Sequence, residues 1–271
     1  MEINIFQSIF LGIIQGLGEF LPISSTAHLI LAPWFFGWSD PGLAFDIALH
    51  VGTLLAVVWF FWRDWLDIIK AASNSVLHTK CEIKNNMYPA GLLWLLMVAS
   101  IPGAIFGLLF DSKIESIFRS PLLIAFTLSA VGLVLLLIDK YAKHSKTIEK
   151  ISIKDALIIG FSQALAIVPG ISRSGATMTA GLALGIGREQ AARFSFLLSA
   201  PIIFGAAAVK IPHLLSAGIT LPIIFGILSS AVTGYLAIKF MLKFIQKVGY
   251  APFFWYRIVL AAVVVGVYFA R

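Results

Sequence analysis

The chain has 271 residues, of which 59% are hydrophobic and only 12% are charged, and its mean hydropathy is +0.95. A soluble protein of this length carries about 25% charged residues, so the composition excludes an ordinary soluble all-α protein and is typical of helices that face lipid. The net charge of +7 does not indicate nucleic-acid binding, because the basic residues cluster in short loops between apolar runs.

Two kinds of apolar segment alternate along the chain. A helix needs about 20 apolar residues to cross the hydrocarbon core, and six segments qualify: about 44–62, 89–110, 121–138, 192–212, 221–243 and 252–270. Two further apolar stretches, 3–34 and 155–185, are interrupted by proline and polar residues, which leaves halves too short for independent spans. Non-helical backbone at membrane depth requires protein or a water-filled cavity around it. We therefore predict two re-entrant helical hairpins, with a pair of ordinary tilted spans at each place as the alternative.

The order of hairpin, three spans, hairpin and three spans predicts two inverted-topology repeats, since three is odd and the second half enters from the opposite face. The repeats cover about 1–140 and about 151–271 of a single membrane domain, 1–271. The segments GIIQGLGEFLPIS (12–24) and GFSQALAIVPGIS (160–172) share a glycine, a glutamine three residues later, a leucine, a proline and an Ile-Ser pair. The predicted fold class is an all-α polytopic membrane protein whose two hairpin turns meet near the bilayer midplane.

Basic residues predict the orientation. With the N-terminus outside, most lysines and arginines fall in inside loops, as the positive-inside rule expects. This assignment counts Lys80, Lys84 and Arg257 as inside-loop residues, and it leaves few cations, such as Arg119 and Lys210, outside.

The first polar island, QGLGEFLPISSTAH, occupies 15–28 and contains a pair of side chains on one helix face. Gln15 and Glu19 are four residues apart, and Pro22 ends their half-helix near the turn. Together with Asp46, near the start of the next span, they offer oxygen ligands for a hard divalent ion, Mg²⁺ or Ca²⁺. An aspartate that only reaches towards interfacial water is the alternative for Asp46.

Hydroxyl groups gather at the starts of the two half-helices that follow the breaks. Ser24 or Ser25 suits the N-cap of the first, whose first turn carries His28, and the second island, PGISRSGAT at 169–177, repeats the design. Two helix N-termini that point free N–H groups at one place form an anion site. The hydroxyls predicted to bind phosphate there are those of Ser24, Thr26, Ser172, Ser174 and Thr177.

Arg173, within the second island, indicates the nature of the anion. An unpaired guanidinium in a membrane interior is costly, so it should face a cavity and an anionic partner, and its planar fork suits phosphate. A purely structural salt bridge with Glu19 is the alternative, but it leaves His28 and the hydroxyls without a role.

Both islands resemble the signatures of the undecaprenyl-diphosphate phosphatase family, bacterial membrane enzymes linked to bacitracin resistance. The resemblance extends over essentially the whole chain, including FDIALHVGTLLAVV (45–58) and FSFLLSAPIIFGA (194–206), although position 15 is Gln where many members have Glu. It implies that a polyprenyl diphosphate loses its terminal phosphate to yield the carrier recycled in cell-wall synthesis. It also implies a multi-pass protein of the bacterial cytoplasmic membrane, surrounded by membrane lipids, whose active site opens to the periplasmic side. The sequence leaves the oligomeric state open, a homo-oligomer included.

The predicted catalytic residues are Glu19, Ser25, His28 and Arg173. Phosphoryl transfer needs positioning and charge neutralisation, which Arg173, the helix N-termini and a divalent ion would supply. Ser25 would attack with His28 as its base, since the two are three residues apart on one turn. Attack by His28 itself or by water stays open.

Two other classes of function compete with the enzyme. Inverted repeats with broken helices are also the architecture of secondary transporters, so a transporter or flippase of an anionic, phosphorylated lipid is the main alternative. A scaffold or lipid-binding protein would leave both polar islands without a purpose.

Overall fold

The computed structural model describes residues 3–76, 88–143 and 145–271, so Lys80 and Lys84 lie outside the described residues. Within these ranges the chain forms eleven α-helices and one short 3-10 helix, Ile148–Lys150. The α-helices are α1 Ile5–Phe20, α2 Ser25–Phe36, α3 Leu43–Phe60, α4 Trp62–Val76, α5 Leu92–Ile117, α6 Pro121–Tyr141, α7 Ile153–Leu165, α8 Arg173–Ala183, α9 Arg188–Ala217, α10 Leu221–Lys247 and α11 Ala251–Ala270.

Six of the described helices are long and apolar enough to cross a membrane, which confirms the six predicted spans. They are α3, α5 over Leu92–Phe110, α6, α9 over Arg188–Ser216, α10 and α11. Exposed leucine, isoleucine, valine and phenylalanine side chains cover their outer faces. The protein is therefore an all-helical, polytopic membrane protein.

The helix α4 was not predicted, because its charged residues made this stretch look like a loop. It is amphipathic: Ile68, Ala71 and Ala72 are buried, whereas Arg63 and Lys70 are exposed. One apolar stripe is enough to hold such a helix against the protein while its other face stays polar.

The two interrupted stretches form helix–turn–helix units, as predicted. Leu21, with extended backbone, ends α1, and Ser24 caps α2 by accepting a hydrogen bond from the Ala27 N–H. Ser172 caps α8 in the same way, with the Gly175 N–H as donor. The proline and the serine cap thus act where the sequence placed them.

These two caps share an unusual backbone conformation. Ser24 has φ 74° and Ser172 has φ 71°, and among the described residues they are the non-glycine residues with positive φ. A side chain in this region costs on the order of 1–3 kcal/mol and persists only where the surroundings fix the backbone. The strain lies at the two turns that form the candidate site described below.

The first helix of each hairpin packs closely against a spanning helix. α1 lies along α10, and α7 lies along α5. A Cβ on Gly16 would be 2.7 Å from the backbone nitrogen of Gly234, and one on Gly160 would be 2.5 Å from the Ala99 carbonyl oxygen. Glycine is therefore required for the backbones to approach this closely. The spanning helices also pair, α3 with α9 and with α10, and α6 with α11.

Candidate active site

The two hairpin turns touch each other, which places the polar islands side by side. The Gly170 N–H donates to Ser24 Oγ at 3.2 Å, and the Ser174 hydroxyl donates to the Leu21 carbonyl at 3.1 Å. Gly170 has φ 95°, and a Cβ there would overlap the Thr127 hydroxyl. The Thr127 hydroxyl donates a hydrogen bond to the Pro169 carbonyl at 2.7 Å, which holds the second turn against α6.

Arg257 of α11 also connects the two turns. Its side chain is fully buried; Nε donates to the Pro22 carbonyl at 2.6 Å and Nη2 donates to the Ile171 carbonyl at 3.4 Å. The prediction that Arg257 belongs to an inside loop is therefore wrong. A Cβ on Gly175 would lie 2.7 Å from Nη2, so the small residue after the second turn makes room for the guanidinium.

The carboxylate of Glu19 is the centre of the polar network at the junction. Glu19 is 7% exposed; Oε1 accepts from Arg173 Nη2 at 2.7 Å, and Oε2 accepts from the Ser25 hydroxyl at 2.8 Å and from Gln15 Nε2 at 3.0 Å. His50 Nε2 lies 3.8 Å from Oε2. The sequence predicted that Gln15 and Glu19 share a face, and the structure adds that the amide of Gln15 donates to the carboxylate.

Ser25 and His28 do not form the hydrogen-bonded pair that the sequence suggested. The Ser25 hydroxyl donates to Glu19, while His28 Nδ1 lies 2.7 Å from the Ser24 carbonyl and Nε2 lies 2.7 Å from the Tyr256 hydroxyl. The rings of His28 and Tyr256 are stacked, with centroids 5.7 Å apart. Because a carbonyl can only accept, Nδ1 carries the proton, and in the neutral ring Nε2 accepts from Tyr256. The acceptor of the hydrogen bond from the Ser25 hydroxyl is therefore the Glu19 carboxylate and not the His28 imidazole.

A cavity of about 500 Å³ opens beside the Glu19 network. Seven of the predicted residues line its polar part together with His50: Glu19, Ser24, Ser25, Thr26, Asp46, Ser172 and Arg173. Trp34, Ile202 and Ile203 contribute apolar surface. A cavity that combines a guanidinium, hydroxyls and apolar wall suits a ligand with an anionic head and a hydrocarbon tail.

Four predicted residues do not line the cavity. Gln15 and His28 are absent from the lining, and so are Ser174 and Thr177, which are 1% exposed. The Thr177 hydroxyl lies 2.6 Å from that of Ser195 in α9 and donates to helix backbone, so it fixes α8 against α9. Ser174 and Thr177 therefore do not face the cavity, and their predicted contact with phosphate stays a prediction.

A comparison with protein families matches residues 8–263 to Bacitracin resistance protein BacA. The chain belongs to the BacA family. Among its relatives, one from Moorella thermoacetica is 52% identical over 99% of both chains, one from Caldicellulosiruptor bescii is 49% identical over 98% of both, and one from Pelotomaculum thermopropionicum is 46% identical over 99% of this chain and 98% of its own. Each of these relatives is named undecaprenyl-diphosphatase.

The metal prediction for this BacA family member depends on Glu19 and Asp46. No group of three or more His, Cys, Asp or Glu side chains that could hold a metal occurs in the part of the chain that the structure describes. Mg²⁺, however, usually binds through one or two carboxylates, waters and substrate phosphates. Glu19 and Asp46 line the same cavity and are the carboxylates that a site of that kind would use, whereas Gln15 is fully buried and turns its Nε2 towards Glu19.

Four residues of the BacA site were not predicted. They are His50, Tyr256 and Gln163, for which no site role was predicted, and Arg257, which was predicted to lie in a loop. Arg257 stands in the apolar run FFWYRIVL, and a guanidinium in such surroundings is as costly as that of Arg173, which is the signal that points to a buried role. Gln163 occupies the position of Gln15 in the aligned hairpin segments and lines the cavity.

Proposed function

We propose that this BacA family member hydrolyses undecaprenyl diphosphate to undecaprenyl phosphate and inorganic phosphate, and so recycles the lipid carrier of cell-wall synthesis. The observation that supports it best is the hydrogen bond from Ser25 to Glu19, with Arg173 on the other carboxylate oxygen, on the wall of one cavity. This set places a nucleophile, a proton acceptor and a phosphate-binding cation together. The names of its full-length relatives point to the same reaction.

In the proposed reaction, Ser25 Oγ attacks the terminal phosphorus. The bond from phosphorus to the bridging oxygen breaks and the electron pair leaves with the lipid monophosphate, while the hydroxyl proton passes to Glu19. Water then hydrolyses the phosphoserine and regenerates the hydroxyl. Glu19 takes the role of base that the sequence gave to His28, because it is the group that accepts from Ser25.

Arg173 has to change partners during this reaction. A carboxylate that is paired with a guanidinium is a poor proton acceptor, because the cation stabilises its charged form. The terminal phosphate would draw the guanidinium away from Glu19 Oε1, which raises the basicity of the carboxylate when the substrate is in place. The first residues of α2 line the same cavity, so the positive end of this helix would add potential for the phosphoryl oxygens.

The proposal includes a divalent ion, Mg²⁺ or Ca²⁺, that Asp46 would hold together with Glu19 in the resting enzyme; once the substrate phosphates are in place the ion would stay on Asp46, so that Glu19 is free to accept the Ser25 proton. Such an ion would neutralise charge on the diphosphate while the substrate oxygens complete its coordination. The remaining wall residues, Ser24, Thr26 and Ser172, are placed to donate hydroxyl hydrogen bonds to phosphate.

We further propose that the chain consists of two inverted repeats with re-entrant hairpins. If α1, α3, α5 and α6 of the first half correspond to α7, α9, α10 and α11 of the second, the packing of α1 on α10 is equivalent to that of α7 on α5. The pairs α3–α9 and α6–α11 are each formed by two corresponding helices. The strained caps Ser24 and Ser172 occupy equivalent positions in the aligned segments. These agreements are expected of a pseudo-twofold axis between the hairpins.

The orientation belongs to the same proposal, with the protein in the bacterial cytoplasmic membrane and the cavity open to the periplasmic side. Arg119 pairs with Asp40 on the cavity wall, and Lys210 lines it too. Both cations lie in segments that the positive-inside rule places outside. A polyprenyl diphosphate with its head group in the outer leaflet could then reach Arg173.

The test is a release assay on purified wild-type protein in lipid nanodiscs. We expect undecaprenyl diphosphate to be converted into equal amounts of undecaprenyl phosphate and phosphate, with most of the activity lost on chelation and regained with Mg²⁺ or Ca²⁺. Unchanged activity under chelation would remove the metal from the proposal. A protein that moves the lipid between leaflets of a vesicle while releasing no phosphate would be the transporter that the architecture also allows.

A further inference from the structure

Gln163 is a buried amide on the cavity wall that the proposed reaction does not use. It lies in the last turn of α7 and is 4% exposed, and its side chain lines the cavity that Glu19 and Arg173 share. Neither Nε2 nor Oε1 has a hydrogen-bond partner among the described residues. Buried amides are nearly always hydrogen-bonded, so a side chain in this state next to a ligand cavity indicates a ligand contact.

Comparison of the hairpins shows which kind of partner Gln163 lacks. In the first hairpin, Gln15 Nε2 donates to a carboxylate oxygen of Glu19, four residues later. In the aligned second hairpin, the residue four positions after Gln163 is Ile167, whose side chain has no oxygen to accept a hydrogen bond. The amide therefore occupies the sequence position of its counterpart, but its own hairpin carries no carboxylate four residues later.

The surroundings of Gln163 keep space for its amide. Gly103 of α5 also lines the cavity, and a Cβ there would be 2.8 Å from Gln163 Nε2. The amide itself is buried, and a larger residue at 103 would press on its nitrogen, so the glycine leaves room for the amide to turn towards the cavity.

We propose that Gln163 donates a hydrogen bond to the phosphate that stays on the lipid, the proximal phosphate of a polyprenyl diphosphate. This inference rests on the proposed function. The terminal phosphate must reach Ser25 and Arg173 at the starts of α2 and α8, whereas Gln163 lies on a different element, near the end of α7. A neutral amide binds a phosphate without adding charge, and so it holds the leaving phosphate in place without retaining the product strongly.

The experiment uses two inhibitors that separate the two phosphates. Undecaprenyl phosphate carries only the proximal phosphate, and inorganic phosphate competes for the terminal site. In Gln163→Met, which keeps the length and removes the amide, we expect the inhibition constant of undecaprenyl phosphate to rise about 10- to 100-fold, the usual effect of losing a hydrogen bond to a charged group. The KM for the diphosphate should rise with it, while the inhibition constant of inorganic phosphate should change little. Gln163→Glu should bind undecaprenyl phosphate more weakly still, because its charge repels the phosphate.

One control and a second test variant accompany Gln163→Met. Gln246→Met changes an exposed glutamine of α10 and should match wild type in every constant. Gly103→Ala leaves the amide in place but crowds it, so it should weaken undecaprenyl phosphate selectively even if Gln163→Met does not fold. Unchanged inhibition by undecaprenyl phosphate in a folded Gln163→Met or Gly103→Ala protein would overturn the inference, and so would an equal loss for both inhibitors. Wild-type protein that releases no phosphate from the diphosphate would refute the proposed function instead.

Discussion

The replacement Arg173→Lys tests whether position 173 needs the bidentate geometry of a guanidinium or only a positive charge. The guanidinium donates from Nη2 to Glu19 at 2.7 Å and from Nη1 to the Ser195 carbonyl at 3.3 Å, so two different groups hold it. A lysine ammonium keeps the charge but cannot reproduce this planar fork or contact two phosphate oxygens in parallel. A hydrogen bond to a charged group contributes about 1.5–3 kcal/mol. Losing one of them in the transition state should lower kcat/KM about 10- to 150-fold.

The assay for Arg173→Lys is phosphate release from undecaprenyl diphosphate over a range of substrate concentrations. Arg271→Lys is the matched control, because Arg271 contacts the carbonyls of Trp34 and Phe35 at the exposed end of α11. We expect the control to behave as wild type. If Arg173→Lys keeps kcat/KM within about twofold of wild type, Arg173 is only the structural partner of Glu19, and the proposed exchange of partners is wrong.

Two further replacements test the groups around Arg173. Glu19→Gln keeps the size of the side chain but removes the negative charge that a divalent ion and the Ser25 proton need. Activity should fall sharply, and added Mg²⁺ or Ca²⁺ should restore only part of it. Full recovery of activity would limit the role of Glu19 to metal binding. Arg257→Lys puts an ammonium in place of a guanidinium that donates to both the Pro22 and Ile171 carbonyls. The loss of one of these hydrogen bonds should lower kcat about tenfold and leave KM almost unchanged. A rise in KM at unchanged kcat would mean that Arg257 affects substrate binding rather than the alignment of the two turns.

Local sequence patterns predicted most of the helices because they depend on short-range physics. An apolar run of about 20 residues gives a span whatever surrounds it, and Pro22 and the serines after each break ended and restarted helices where they were expected. The helix α4 was missed because it needs only one apolar stripe, which its charged residues obscure.

The contacts within the site were harder to predict, because they depend on three-dimensional packing between distant segments. Spacing on one helical turn suggested that Ser25 faces His28, but the fold brings Glu19 to the Ser25 hydroxyl and Tyr256 of α11 to His28. No local pattern reports such contacts. The prediction that Arg257 lies in a loop was wrong for a similar reason. It was based on the charge of the side chain and not on the apolar residues on both sides of it.

Phosphate release by Ser25→Ala, measured beside wild type and Ser39→Ala, tests the central claim most directly. Ser39 is exposed and outside the cavity lining, so its replacement should leave turnover unchanged. Ser25→Ala should release no phosphate above background, and wild type quenched during turnover of terminally labelled substrate should hold an acid-stable phospho-enzyme that Ser25→Ala lacks. Turnover of Ser25→Ala close to wild type, or a phospho-enzyme that persists in it and is lost in acid, would contradict the account and move the attack to His28 or water.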